Sequence, residues 1–182
     1  LCLHGEPTWA FLFRRMIPVF LEAGTRVIVP DFFGFGRSDK PTEQGVYTFE
    51  FHRNMLLAFL DRLKLTGLTL VVQDWGGVLG LTLPMESPHR VSRLLVMNTL
   101  LGTGDQPLGA GFLAWREWCR NNPDMSAGKL LGRACPHLHQ AEIAAYDAPF
   151  PDTQYKAGAR AFPEPVPDHP EATGAALSRD AR

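Results

Sequence analysis

Residues 68–77 read LTLVVQDWGG. An apolar run rich in Leu and Val ends on a carboxylate and an indole, and two glycines follow. The run has the composition of a strand buried on both faces. The continuation GGVLGLTLPMES (76–87) has the spacing of a buried helix, which Pro84 should end or kink. Asp74 therefore lies on a tight turn between a strand and a helix. In an open parallel sheet, ligands bind outside the carboxyl ends of the strands, where such a turn holds its side chain. Gly76 and Gly77 permit a sharp turn and close backbone approach. The first N–H groups of the helix favour negative charge there. Two readings of Asp74 are open at this point: a helix N-cap, a common role for Asp, or an exposed reactive carboxylate.

Outward from this turn, strand and helix alternate. Leu1–Leu3 is a short apolar run ended by HGEPTW (4–9). Helical spacing runs from Ala10 to Ala23, with Gly24 as C-cap. RVIVPD (26–31) has the pattern of a buried strand, and FFGFGRSDKPTEQG (32–45) is a long loop. Residues 48–65 are helical, opened by Thr48 and closed by Gly67. RLLVMNT (93–99) is the next strand. This alternation predicts a parallel α/β sheet. After Thr99 it stops, and helical patterns at 109–119, 126–134 and 139–146 are joined by Pro-rich segments. The expected organisation is residues 1–100 as the sheet-bearing unit, 101–170 as an inserted helical cap, and 171–182 as the start of a return to the first unit.

The 182 residues carry 45% hydrophobic side chains and a net charge of −1, ordinary for a globular domain with a core. Near-neutral charge gives no electrostatic footprint for nucleic acid or an anionic membrane. No apolar run approaches the roughly 20 residues that span a bilayer. The first nine residues lack the layout of a signal peptide. Cys2, Cys119 and Cys135 form no metal-binding or paired pattern, which suggests reduced thiols in a cytoplasmic protein. No His/Asp/Glu cluster suggests a metal. The chain opens inside a strand and closes on ALSRDAR, a polar helical stretch expected to have nothing to pack against. The expectation is a fragment truncated at both ends.

The combination of HGEPTW (4–9), PDFFGFGRSDKP (30–41), YTFEFHRN (47–54), LVVQDWGG (70–77), LTLPM (81–85), GFLAW (111–115) and APFPDT (148–153) resembles the haloalkane dehalogenases of the α/β-hydrolase superfamily. HGxP with DWGG alone would also admit epoxide hydrolases. The turn departs from the small-x-nucleophile-x-small rule, because Val72 occupies the first small position. The resemblance implies an α/β-hydrolase fold with a helical cap. Asp74 would displace halide from an sp3 carbon, giving an alkyl ester that a His-activated water hydrolyses. The substrates would be a small halogenated alkane and water, with no cofactor and a monomeric full-length enzyme. The backbone N–H groups of Glu6 and Trp75 would form the oxyanion hole for the hydrolytic step.

Indole N–H is a donor only, so it suits a departing halide that can use no proton. Some family members take a second donor from an Asn in the first loop. Here that position is Glu6, whose ionised carboxylate accepts and cannot donate; it would instead order a water or the loop. The second donor is then Trp115 in GFLAW, giving a Trp75–Trp115 halide clamp. Phe112, Trp115 and Trp118 at helical spacing also fit simple packing of the cap. Val78, Phe112, Phe162 and Pro163 would line an apolar pocket for the alkyl chain, and Trp9 would be structural. The triad of this fold runs nucleophile, acid, His in chain order. His4 precedes Asp74 and is therefore not the base. The family's acid and His come from strands after the cap, so this chain is expected to lack both, to fold poorly alone and to show no multiple turnover. An epoxide hydrolase, whose cap would supply Tyr donors, and a non-catalytic remnant are the alternatives.

Overall fold

The computed structural model describes all 182 residues. Three parallel strands form one sheet in the order β1 (Cys2–Leu3), β2 (Leu68–Gln73), β3 (Val91–Met97). Cys2 stands opposite Val71 and Leu3 opposite Val72, and β2 in turn runs beside β3. The central strand β2 buries Leu68, Leu70, Val71 and Val72, as its unbroken apolar composition predicts. On β3, Leu94, Leu95 and Val96 are exposed.

Before β2 come α1 (Met16–Glu22), preceded by a 3₁₀ turn at Ala10–Phe13, and α2 (Phe49–Arg62). The Thr48 hydroxyl caps α2 by accepting from the Phe51 N–H. The helix ends at Leu63, and the left-handed residue after it is Lys64 (φ 50°), three positions before Gly67. The 76–87 stretch splits as expected into α3 (Trp75–Gly80) and α4 (Leu83–Glu86), with Pro84 in the first turn of the second piece, where its missing N–H costs nothing.

The three helices expected after residue 100 fall close to their places: α5 (Ala110–Asn121), α6 (Ala127–Ala134) and α7 (Gln140–Asp147). They are followed by α8 (Ala157–Ala161) and α9 (Ala175–Asp180). Two expectations are corrected. Residues 26–31 form no strand. They lie beside β1, which is only two residues long, and the Cys2 N–H to Ile28 carbonyl bond of 2.9 Å is too little for a ladder. Second, the ALSRDAR stretch does pack. Ala175 and Ser178 of α9 are buried, Gly174 lies against the Phe49 ring, and Arg179 donates to the Thr103 carbonyl at 2.6 Å.

Residues from both sides of the sequence are joined by polar contacts. The Trp9 indole N–H donates to the Ala145 carbonyl at 3.1 Å. Arg14 and Arg15 both reach Glu142, at 2.6 and 2.9 Å. Hydrogen bonds from Arg14 hold the Glu142 carboxyl down, at about 2 instead of 4.5. A depressed carboxylate stabilises the fold above its unfolded pKa, and the effect disappears as pH falls through the folded one. Thermal unfolding of Glu142→Gln is therefore expected to lose less between pH 4.5 and 2 than the parent does. Identical pH slopes would show that the contact is not coupled to folding.

Candidate active site

Asp74 joins β2 to α3 with φ 51° and ψ −125°. That region is unfavourable for a residue with a side chain and costs on the order of 1–3 kcal/mol. Four hydrogen bonds hold it. The Asp74 N–H donates to the Asn98 carbonyl at 3.2 Å. Its carbonyl accepts from Thr99 Oγ1 at 2.6 Å and from the N–H groups of Gly77 and Val78 at 2.9 and 3.1 Å. Although Asp74 occupies the capping position, its side chain makes no capping hydrogen bond. Its Oδ1 instead accepts from the Glu6 backbone N–H at 2.8 Å, and the Trp75 N–H faces the same carboxyl. Burial raises the Asp74 pKa, while these two N–H groups oppose the rise.

The turn fits because its neighbours are small. A methyl group on Gly76 would meet the Leu3 carbonyl, and one on Gly5 would meet the Asp74 side chain. The departure at Val72 has a local answer. Its Cγ1 would lie 3.0 Å from a Cβ on Gly80, so a glycine one turn into α3 leaves room for the larger side chain.

Glu6 is turned inward. Its pKa is raised well above the usual range, first by burial and then by the charge of Asp74; the Trp115 side chain opposes this as a hydrogen-bond donor. Its Oε1 is sealed from solvent and makes no hydrogen bond. The Trp115 ring stacks on that of Trp118, centroids 5.3 Å apart. The Trp75 ring is buried against Phe162, centroids 4.8 Å apart. Its indole N–H has no acceptor in the protein, whereas that of Trp9 does.

Val78 and Phe162 are buried in one apolar cluster with Trp75, and Phe112 packs against that cluster. Pro163 is held differently: its carbonyl accepts from Arg116 Nε at 2.9 Å. Arg116, missed in the sequence, also binds Val166 O at 3.1 Å and Asp168 at 2.6 Å, clasping the 163–168 segment to α5. Thr99, which holds the Asp74 carbonyl, was missed too. Only the place of Thr99 at the end of a strand beside β2 could have signalled it. A cavity of about 480 Å³ lies elsewhere, between Leu1, Phe20, Ile28, Leu65 and Leu95.

His4 cannot act as a base. It accepts from the Phe32 N–H at Nε2 (3.0 Å), Nδ1 faces the Gly5 carbonyl at 3.0 Å, and burial lowers its pKa to about 4. The phenol of Tyr146 is bound to Arg14 at 2.9 Å, and Tyr155 is exposed. Neither makes a hydrogen bond to Asp74. No helix is long and apolar enough to cross a membrane.

A family model described as alpha/beta hydrolase fold matches residues 1–154. A haloalkane dehalogenase of Psychrobacter cryohalolentis is 48% identical over 172 residues, covering 94% of this chain and 57% of that protein. Haloalkane dehalogenase 1 of Mycobacterium tuberculosis is 45% identical over 170 residues, covering 93% and 57%. The chain thus spans somewhat over half the length of these relatives. Among solved structures, the tetrameric haloalkane dehalogenase DpaA from Paraglaciecola agarilytica NO2 superposes with a TM-score of 0.95 at 45% identity, covering 99% of this chain and 60% of that one.

Proposed function

The chain belongs to the alpha/beta hydrolase fold family, and from that premise we propose that it carries the alkylating half of a haloalkane dehalogenase site. The observation that carries this reading is the Asp74 carboxylate on its strained turn, met by the Glu6 N–H and followed by an indole N–H without a protein acceptor. A carboxylate oxygen of Asp74 attacks the sp3 carbon of a carbon–halogen bond. The carbon–oxygen bond forms, the carbon–halogen bond breaks, and the halide leaves with the electron pair. The product on the chain is an alkyl ester of Asp74. Charge develops on the halogen, which takes no proton at neutral pH, so fixed donors in a dry site are the useful partners. Trp75 and Trp115 supply them. Val78, Phe112, Phe162 and Pro163 enclose the alkyl group, and residues 101–170 act as the cap over residues 1–100.

The ester is cleared by water attacking its carbonyl, with the Glu6 and Trp75 N–H groups on the oxyanion. That step needs a base, and among these residues the histidine next to the site is locked and neutral. The chain incubated with a short 1-bromoalkane is therefore expected to release about one equivalent of bromide and to gain one alkyl group on Asp74, read by peptide mass. Sustained release well beyond one equivalent per chain would overturn the half-reaction.

A further inference from the structure

Two glycines follow Trp75, and only the first meets β1. A methyl group on the second, Gly77, would strike Thr99 Cγ2 and Oγ1. Gly77 thus lets α3 lie against the residues that follow β3. Asn98, the first of these, is left-handed at φ 41°, a conformation Asn adopts more readily than most residues. It faces Asp74, itself left-handed at 51°. The turn at Asn98 brings two groups to the Asp74 main chain. The Asn98 carbonyl accepts from the Asp74 N–H at 3.2 Å, and the Thr99 hydroxyl donates to the Asp74 carbonyl at 2.6 Å.

The Thr99 bond differs from the others on Asp74. The Gly77 and Val78 N–H groups belong to the first turn of α3 and would follow the turn wherever it moved. The Asn98 bond continues the pairing of β2 with β3. The Glu6 and Trp75 N–H groups hold the carboxylate through its charge. That charge is consumed as the carbon–oxygen bond forms and the halide leaves with the electron pair. The Thr99 hydroxyl is the one side chain bonded to the Asp74 main chain, and its acceptor keeps its character throughout the step. We propose, on the dehalogenase reading above, that Thr99 is a positioning residue for alkylation. Its hydroxyl holds Asp74 in an unfavourable backbone conformation, so that the carboxyl keeps its line on the substrate carbon until the ester is formed. It touches neither the alkyl group nor the halide. Without it the turn relaxes toward an ordinary conformation and carries the carboxyl off the Glu6 N–H. The rate of the bond-forming step falls, while affinity for the haloalkane, set by the pocket walls, does not.

The parent chain, Thr99→Ala and Thr99→Ser, each incubated with 1-bromobutane over a range of concentrations, test this. Peptide mass follows the alkyl gain on Asp74, and its concentration dependence separates the maximal rate from the half-saturating concentration. Thr99→Ala is expected to lose about tenfold or more of the maximal rate, since a misplacement of about 1 Å can cost roughly a hundredfold. Its half-saturating concentration should stay at the parent's value. Thr99→Ser keeps the hydroxyl and should recover most of the loss. Near-UV circular dichroism checks that the folds match. Should Thr99→Ala not fold, Thr99→Val, which keeps the bulk and lacks the donor, takes its place. A purely structural bond would lower the unfolding temperature and leave the maximal rate of the folded chain where it was. That result, equal maximal rates for the Ala and Ser variants, or a loss confined to the half-saturating concentration, would overturn the positioning role while the alkylated parent leaves the dehalogenase reading standing. A parent never alkylated at Asp74 overturns that reading and this inference with it.

Discussion

Replacing Asp74 by Asn is expected to abolish bromide release and the alkyl adduct, a loss of at least about 10⁴-fold in the alkylation rate, the scale on which removing an essential catalytic group acts. The amide has the shape of the carboxylate but not its nucleophilic charge. Asn also tolerates positive φ better than most residues, so the turn at φ 51° should persist. The same substitution is expected to leave stability unchanged or improved. Burial penalises the charged form of Asp74, and the neutral amide removes that penalty. A raised thermal midpoint together with a silent site would show that the carboxylate is kept for chemistry at a cost to the fold. A fall of several degrees with lost activity would instead identify Asp74 as structural.

Gly76→Ala should have the largest effect on folding, about 3 kcal/mol or more, the upper range for inserting a methyl group where backbone cannot yield. The added carbon would meet the Leu3 carbonyl and lie 2.8 Å from the His4 carbonyl oxygen. Both belong to β1 and the residue after it, the same short segment that carries the Glu6 N–H to Asp74. Separating α3 from β1 therefore unfolds the core and the site together. Gly111→Ala in α5 is the matched control. Nothing lies within 4 Å of its added carbon, and alanine gains about 0.8–1 kcal/mol of helix propensity over glycine. Urea midpoints of the two variants should move in opposite directions. A Gly76→Ala midpoint within error of the parent would remove the close packing of α3 on β1 from the account.

Much of this arrangement is written in local chemistry. The strand–Asp–Trp–Gly–Gly order places the turn, because a buried apolar run can only end there on a group that the sheet's open end accommodates. Thr48 marks the start of α2 through its own hydroxyl, and helical spacing alone finds α5, α6 and α7 to within about two residues. What local pattern misses depends on distant partners. Residues 26–31 have the composition of a strand, yet strand formation needs a partner longer than two-residue β1. Lys64 takes a left-handed position (φ 50°) three residues before Gly67 takes its own (φ 62°), because the helix ends earlier than composition implies. The contact of Glu6 with Asp74 is hidden in sequence, since the two stand 68 positions apart. The Val72–Gly80 exchange is visible only once α3 is laid on β2.

The Phe162 ring meets those of Phe32, Phe35, Tyr47, His52 and Trp75, with centroids between 4.6 and 6.4 Å. Phe112, by contrast, is partly exposed and stands on α5. The two walls of the proposed pocket therefore differ in their freedom to vary. A smaller residue at 162 would loosen the seat of α2 and the indole of Trp75 along with the pocket, so width gained there is lost in stability and in halide grip. A change at 112 touches fewer partners, chiefly the Arg116 guanidinium that lies 5.4 Å from its ring centroid. A lineage adapting this site to longer or bulkier molecules has one wall it can remodel and one it must inherit.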